Sequence, residues 1–526
     1  MKNNILILLS VFIISCSNNV KTIDITLTSK SIEASNIVAS ALFFKEGFTD
    51  GRIYTGELVE ALEKALKIDP NFEFAKAIYG DIPNNLKNSD RRSYIESAYS
   101  KIENVSEIEK AFIQSIYFNK IEGNKVKAAS VLNEIFEKYP EYYYIGVYNG
   151  FFQNTIMQNP KEAQVNWNNA LKINPNANIA KLLLAQLHFV TTPGFYRLEK
   201  DEIDLTYAAN IIKEVEQVEP ENPEPQRLLG NIYRVKGEFD SSLKSYKKAI
   251  DLSKNKKGSR YAQLFLISGH VYLFKGEYEK ARQYYLECLK YYDNPNFESF
   301  TRLWLSNTFL YEKKYKSSIL AIDEIQKDFE NYDLDPLTKK SLLYACAFEK
   351  FVAYGHSQMK QEALKSIGDM IKLNGDMKNI RLSKIKSESE KRNIELQIES
   401  ADKFNRIWYS ILFGEYQIAR ELLKEYTLLS GEYLTYDSKA MVGFYKLSGY
   451  LNLMEGNIQQ SISFYEQIPK ELLEEDNYQL YFYALAKKAN GNNKRSEELF
   501  NYLANYNFAG WQNSIIRPLA LEQIKN

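Results

Sequence analysis

Histidine, cysteine and paired carboxylates are the residue types that carry catalysis or hold metals, and this sequence offers them sparsely. Its three histidines, His188, His270 and His356, lie far apart, with no second ligand at metal-binding spacing. Neither a phosphate-cradling GxxxxGK[ST] loop nor an HExxH or GxSxG motif occurs. The sequence therefore predicts no metal, no cofactor and no catalytic residue, and it favours a protein that is not an enzyme.

One cysteine is placed for a different chemistry. Cys16 follows an apolar run from Ile5 to Ile14, which is too short to span roughly 30 Å of hydrocarbon as a helix. The run fits the hydrophobic region of a secretory signal. With Ser15 directly before the cysteine and polar Ser17 after it, the segment resembles a bacterial lipobox. The resemblance implies cleavage after Ser15 and lipidation of the Cys16 thiol.

This interpretation divides the start of the chain into two parts. Residues 1–15 are expected to be a lipoprotein signal peptide, and residues 16–32 the lipidated cysteine and a flexible linker. Two or more acyl chains give stable membrane anchoring, whereas one chain anchors only marginally. The alternative is an ordinary signal peptide with an incidental cysteine. Cys288 and Cys346 lie in apolar helical stretches without a CxxC partner, and we interpret them as small core residues.

Composition and charge narrow the class of protein. The 67 basic and 67 acidic residues cancel, so no broad electrostatic footprint for nucleic acid is expected. Hydrophobic residues are 45% and charged residues 25%, as in folded soluble chains. The 39 tyrosines suit packing between helices, because the ring is apolar while the hydroxyl reaches water. An aromatic platform for a ligand is the alternative.

Two segments repeat one frame of small and aromatic residues. The first runs from Gly230 to Ala249 and the second from Gly269 to Cys288; both carry matching residue types three, seven, twelve, sixteen and nineteen positions after the first glycine. Small residues permit helices to cross closely, and the aromatic residues fill the space beside them. The glycine at the seventh position adopts φ > 0 easily and ends the first helix. The frame therefore predicts helix-turn-helix pairs.

This frame resembles the tetratricopeptide repeat, a 34-residue helix-turn-helix unit. Weaker copies extend it over most of the chain, including those around Gly123, Trp167, Tyr315, Gly414, Gly449 and Gly491. The resemblance implies an all-α fold, a right-handed α-solenoid superhelix of about nine or ten repeats. We expect an N-terminal array over residues 33–373 and a C-terminal array with a capping helix over residues 401–526.

Three irregularities interrupt the array. The stretch from Thr191 to Tyr196 breaks a hairpin and predicts a long loop, either functional or a tolerated excursion. The unit from Tyr344 to Met370 has no glycine at its turn, so longer helices are expected there. Residues 374–400 are highly charged and lack the repeat frame, which predicts a charged linker or an extended helix, or a hinge between the two arrays.

In the family that the frame resembles, the first helix of each pair lines the concave surface. That resemblance implies partner-binding roles for Tyr117, Tyr148, Phe152, Arg227, Asn231, Arg234, His270, Phe274, Tyr311, Trp408 and Tyr450. Arg227 with Asn231 resembles half of a carboxylate clamp, but apolar Ile267 occupies the completing position, so a chaperone-tail clamp is not implied. We expect a mixed aromatic and basic groove that suits a peptide or a protein helix.

These features favour a membrane-anchored scaffold lipoprotein that binds protein partners at a bacterial envelope. The composition and the junction at Cys16 resemble lipoproteins of the Bacteroidetes, which implies the outer membrane, facing either the periplasm or the surface. The first alternative is a SusD-like nutrient- or glycan-binding lipoprotein partnered with an outer-membrane transporter. Such proteins carry long irregular insertions that form the glycan site, whereas regular repeats fill nearly the whole of this chain. An accessory domain with cryptic hydrolase activity is the second.

Overall fold

The fold is known from a computed structural model, which describes residues 27–44, 55–82, 88–189, 195–253, 259–292, 295–383, 385 and 387–525. The signal segment, Cys16 and the stretch from Thr191 to Gly194 lie outside these residues. Every regular element in the described part of the chain is helical. None of those helices combines the length and the apolar composition needed to cross a bilayer.

The described residues form 26 α-helices. In the first third they are α1 Ile32–Ala39, α2 Thr55–Ile68, α3 Glu73–Asp81, α4 Asn88–Ser100, α5 Glu107–Lys120, α6 Lys125–Lys138, α7 Tyr143–Thr155, α8 Pro160–Ile173 and α9 Asn178–Gln186. The middle third contains α10 Leu205–Val218, α11 Pro223–Val235, α12 Phe239–Leu252, α13 Ser259–Phe274, α14 Tyr278–Leu289, α15 Pro295–Tyr311, α16 Tyr315–Asn331, α17 Pro336–His356 and α18 Lys360–Leu382. The last third contains α19 Glu388–Leu412, α20 Tyr416–Tyr433, α21 Val442–Met454, α22 Ile458–Tyr465, α23 Lys470–Glu474, α24 Asn477–Ala489, α25 Asn493–Ala504 and α26 Trp511–Lys525.

Successive helices pack as pairs, and each pair packs on the next, so the prediction of an all-α solenoid is confirmed. Among the described residues the pairs are α1–α2, α3–α4 and so on to α21–α22, followed by α24–α25, which makes twelve. The number exceeds the nine or ten expected. The pair α3–α4 was not anticipated, because its sequence lacks the glycine and aromatic frame.

The glycine and aromatic frame has the physical basis predicted for it. A Cβ atom added to Gly269 would lie 2.5 Å from the ring of Tyr285, and one added to Gly449 would lie 2.8 Å from the ring of Tyr465. In these two pairs the helices therefore cross where only a hydrogen atom fits. Gly237 and Gly276, at the turns, adopt φ of +77° and +78°. Both predictions, close crossing and a left-handed turn, are confirmed.

A single methyl group at a crossing is expected to destabilise the array. Gly269→Ala should lower the free energy of unfolding by about 1–3 kcal/mol, because the fully buried Tyr285 ring cannot move away without disturbing its neighbours. Gly368→Ala is the matched control: Gly368 lies within α18 with no atom near its added Cβ, and a helical glycine-to-alanine change there should be neutral or stabilising. Chemical denaturation of both variants checks this, and equal stabilities would contradict it.

The irregular part of the array contains its longest helices. Helix α17 has 21 residues, α18 has 23 and α19 has 25, so the expectation of longer helices around residues 344–370 is confirmed. Where the turn glycine is absent, Gln358 itself adopts a φ of 60°. Residues 374–382 continue α18, and residues 388–400 form the first half of α19. The charged stretch therefore consists largely of the ends of two long helices.

The first described residues are fixed to the repeats rather than free, although residues 16–32 were expected to be a flexible linker. The Thr28 hydroxyl donates to Glu109 Oε2 at 2.6 Å, and the Ser29 hydroxyl donates to Asp69 Oδ2 at 2.7 Å. The side chain of Leu27 is buried. Buried carboxylates require hydrogen-bond donors, and this short segment supplies them to Glu109 and Asp69. Residues 27–29 are therefore held against the repeats.

Candidate binding groove

The candidate site is the inner face formed by the first helices α11, α13 and α15. Pro223 occupies the first turn of α11, where its missing N–H is not needed, and the Asn222 side chain accepts the Glu224 N–H at 2.9 Å. Downstream, Asn231 and Arg234 lie one turn apart on the same side of the helix. This local start fixes where α11 begins.

A stretch near the end of the chain lies against this inner face. Residues 505–510, which we call the closing segment, form the non-helical connection between α25 and α26. Asn507 Nδ2 donates to the backbone oxygen of Arg234 at 3.1 Å, across 273 residues of sequence. The Phe508 ring lies 5.8 Å from the guanidinium carbon of Arg234, and Ala509 is buried in one cluster with Phe274 and Tyr311. The groove is thus occupied by the chain itself.

Arg517 of α26 holds the closing segment in place. Its Nη1 donates to the Tyr506 backbone oxygen at 3.1 Å and to Asn507 Oδ1 at 2.9 Å. Its guanidinium also lies over the Phe274 ring, 5.1 Å from the centroid. Burial lowers the pKa of Arg517. This arginine therefore links α26, the closing segment and α13 through three different contacts.

The polar groups of the inner face are incompletely satisfied. Tyr246 donates its hydroxyl to Asn231 Oδ1 at 2.6 Å, but Asn231 Nδ2 has no hydrogen-bond partner. Arg234 is only 1% exposed, and its Nε and Nη2 atoms are both buried without an acceptor. The Tyr311 hydroxyl is likewise unpartnered. Buried polar groups are almost always hydrogen-bonded in native proteins, so this cluster of unmet donors sets the site apart.

His270 lies on the neighbouring helix and does not compensate for the positive charge. Its Nδ1 lies 2.7 Å from the Tyr285 hydroxyl, and its ring meets Trp304 edge-on. Burial, and secondarily the nearby Arg234, hold the pKa of His270 well below its usual value. The imidazole is therefore neutral at physiological pH, and Arg234 remains the charged group of this part of the groove.

Comparison with known proteins agrees with this architecture. Residues 228–256 and 262–295 match the model of the tetratricopeptide repeat family. These two segments are similar to tetratricopeptide repeats. Solved structures similar to it include a human IFIT1 dimer with PPP-AAAA, at 15% identity over 82% of this chain and 88% of that chain with a TM-score of 0.36. Yeast Tom70 is similar at 13% identity over 88% of this chain and 89% of that chain, with a TM-score of 0.34. No curated protein sequence matches the chain.

The two matched segments carry Asn231, Arg234, His270 and Phe274 on their first helices, and Arg227 lies one residue before the first segment. All five side chains were expected to line an open groove, and all five are buried. The closing segment lies against Arg234 and shares a cluster with Phe274. Asn231 and His270 instead bond to tyrosines of their own helix pairs. Their partner-binding role stays a prediction, and in this closed state a partner does not reach them.

Arg227 differs from Arg234 in one respect. Its Nε atom donates to both carboxylate oxygens of Glu224, at 2.8 and 2.9 Å, and both side chains are buried. Glu224 is absent from the predicted site, although its position three residues before Arg227 on the same helix is a recognisable ion-pair spacing. Arg227 is therefore neutralised by its own repeat.

The remaining predicted residues fall into two other places. Tyr117 stacks on Tyr99 at 3.7 Å, and Tyr148 packs on Phe112 at 4.9 Å in the N-terminal repeats, where Phe152 is buried too. Trp408 and Tyr450 are buried in an aromatic cluster of the C-terminal repeats with Tyr478, and Trp511 of α26 covers Trp408. The structure thus gathers one part of the predicted set around Arg234 and leaves these five in separate cores.

The interrupted hairpin contributes a cavity beside the closing segment. The Tyr196 N–H donates to Asn154 Oδ1 at 3.0 Å, and Asn154 Nδ2 donates back to the Tyr196 oxygen at 2.6 Å, which fixes the described end of the loop. A cavity of about 240 Å³ lies between this loop and the C-terminal residues. Its lining includes His188, Phe189, Arg197, Tyr502, Tyr506 and Phe508. The loop therefore meets the C-terminal part of the chain at the edge of the groove.

The histidines and cysteines take structural positions in the described part of the chain. His188 Nδ1 accepts the Asp204 N–H at 3.0 Å, and His356 Nε2 lies 3.3 Å from the Tyr478 hydroxyl. Burial lowers the pKa of His356 to about 4. Cys288 and Cys346 are buried free thiols. Among the described residues, no three His, Cys, Asp or Glu side chains are grouped to hold a metal ion.

Proposed function

We propose that this protein is a lipid-anchored scaffold that binds protein partners at a bacterial envelope membrane. The observation that carries the proposal is the inner face of the tetratricopeptide repeats, which holds an extended, non-helical stretch through a backbone oxygen of α11 and an aromatic surface. A peptide of a partner protein fits the same kind of groove. The cancelling charges of the chain favour protein over nucleic acid as the partner.

The position of the fixed N-terminal residues supports a role close to a membrane. If Cys16 carries the lipid, the eleven residue steps to Leu27 reach at most roughly 40 Å. Leu27 and Thr28 are attached to the first repeats, so the array begins within that distance of the bilayer. A short tether of this kind suits a scaffold that gathers partners at the membrane, which we place at the outer membrane.

The scaffold role is tested by covalent capture. Membranes containing the tagged full-length protein are cross-linked, and captured proteins are identified and then tagged themselves for the reciprocal capture. We expect one protein to be recovered in both directions. Failure of every reciprocal capture, together with saturable binding on a glycan array, would contradict a protein-binding scaffold and support the nutrient-binding alternative.

The anchor has its own prediction. The mature N-terminus is expected to be Cys16 carrying diacylglycerol and an amide-linked acyl chain, and Cys16→Ser should move the protein from the membrane fraction to the soluble fraction. Mass spectrometry of the N-terminal peptide and fractionation check both statements. Cys288→Ser is the control, since that thiol is buried in α14 and its loss leaves any anchor intact. An unmodified Cys16 in the mature chain would contradict the anchor.

A further inference from the structure

The groove is closed by polar contacts as well as by the packing of Phe508 and Ala509. The buried hydrogen bond from Asn507 to the Arg234 oxygen is one, and the 3.5 Å contact from Arg517 Nη2 to the Phe274 oxygen is another. At the periphery, Lys313 of the turn after α15 pairs with Glu522 of α26, and both are exposed. Exposed ion pairs contribute about 0–1 kcal/mol. Each of these polar contacts is individually weak, so a competing polar ligand can replace them.

Closure also leaves positive charge buried without a counter-ion. In the described residues, no carboxylate lies within ion-pair distance of Arg234 or Arg517. The titratable groups that surround Arg234 are Tyr246, His270, Tyr285 and Tyr506, all of them neutral at physiological pH. A buried charge with no partner is costly, and the Phe508 ring at 5.8 Å replaces only part of the lost hydration.

The unmet hydrogen bonds at this place are all donors. Arg234 Nε and Nη2 are joined by Asn231 Nδ2 on the same helix, and each of them lacks an acceptor. A carboxylate offers several acceptor positions and a negative charge, and guanidinium pairs with it through two parallel hydrogen bonds. The Phe508 ring, which lies against Arg234, supplies neither an acceptor nor a negative charge. Arg234 and Asn231 therefore lack an anionic hydrogen-bond acceptor.

We propose that the closing segment is an internal occupant of the groove, and that an acidic segment of a partner protein displaces it and pairs with Arg234. This inference rests on the proposed function and names both the regulation of the site and the chemistry of its partner. The closing segment competes from within the same chain, so the apparent affinity of the partner is reduced by the fraction of molecules that are open. Loosening the closure then raises affinity without adding a contact.

The test compares full-length variants with two probes. The probes are a fluorescent octaglutamate peptide and the neutral peptide in which every glutamate is glutamine. Asn507→Ala/Phe508→Ala removes the hydrogen bond to Arg234 and the ring beside its guanidinium, and it should bind octaglutamate at least about tenfold more tightly than the unmodified protein. Adding Arg234→Gln should abolish this gain. Arg495→Gln is the control, because Arg495 is an exposed residue of α25 that pairs with Glu498. Equal affinities in all four proteins would overturn the proposal.

A second measurement keeps the test valid if the double variant unfolds. Hydrogen exchange of the unmodified protein is followed with and without octaglutamate; the peptide should speed exchange in residues 505–517 and slow it around Asn231 and Arg234. Unchanged exchange in both places would overturn the proposal. If a partner is captured in both directions, and equally by the unmodified protein and the double variant, the closing segment does not compete for the groove. The scaffold function would still hold in that case. Binding of the neutral peptide as tightly as octaglutamate would refute the role of Arg234.

Discussion

Trp167→Ala is expected to lower the free energy of unfolding by about 3–5 kcal/mol, the largest loss of any substitution considered for this chain. The Trp167 side chain is fully buried, and its indole N–H donates to the Val147 oxygen at 3.0 Å. It also fills the crossing beside Gly150, where no Cβ fits. Alanine would leave a cavity between α7 and α8 and remove the indole hydrogen bond, because the rigid crossing cannot collapse around the missing ring.

The same substitution should loosen the interrupted hairpin. Phe195 stacks on the Trp167 indole with the two planes 7° apart, so the described end of the loop loses its aromatic support. Thermal denaturation measures the stability loss, and hydrogen exchange of residues 195–200 measures the loosening. Val165→Ala on the same helix is the matched control, since that side chain is 51% exposed and its loss should be nearly neutral. A Trp167 variant as stable as the Val165 variant would show that the indole does not stabilise the crossing of α7 and α8.

The features predicted from sequence are those that a single repeat determines. Gly230 and Tyr246 are sixteen residues apart and meet within one helix pair, as do Gly449 and Tyr465. In both pairs a serine at the twelfth position donates to the glycine oxygen at 2.7 Å. Because such contacts lie within one turn and two helices, the periodic pattern of residue types contains the information needed to place them.

The closing of the groove is not visible in that pattern. Asn507 and Arg234 are 273 residues apart, and the contact depends on the sum of many small rotations between repeats. No motif marks residues 505–510 as a ligand of the array. Charged side chains are mostly exposed in folded proteins, and Arg234 departs from this rule where the closing segment lies against it.

The two arginines of α11 are both buried, but they differ in whether a carboxylate pairs with them. Arg227 has a carboxylate from its own helix, so its burial needs nothing from elsewhere in the chain. Arg234, two turns later on the same helix, has the Phe508 ring beside its guanidinium instead of a carboxylate. The repeat frame predicts one binding surface for both residues, whereas the structure separates a neutralised arginine from one that still lacks an anion. The second is therefore the better position from which to search for a partner.

A buried carboxyl group next to the groove gives the other large effect, Glu349→Gln. Glu349 of α17 is buried, and its Oε1 accepts a hydrogen bond from Asn307 Nδ2 at 3.3 Å. Neither Glu349 Oε2 nor Asn307 Oδ1 has a partner, and the neighbouring Lys350 pairs with Asp323 instead. Burial raises the pKa of Glu349 to about 7. A glutamine fills the same space without charge, and its amide nitrogen can donate to Asn307 Oδ1.

The sign of the pH dependence follows from that raised pKa. In the unfolded chain the carboxyl releases its proton near its ordinary pKa, whereas in the folded chain it keeps the proton until about pH 7. Stability is therefore lost as the pH rises between these two values, by about 3 kcal/mol in total. Glu349→Gln avoids this loss, so the variant should exceed the unmodified protein in melting temperature at pH 8 and approach it at pH 5. Glu498→Gln, an exposed residue, should show no such pH-dependent difference. A constant difference for Glu349→Gln across this range would mean that Glu349 is ionised in the folded protein and that its surroundings supply a counter-charge.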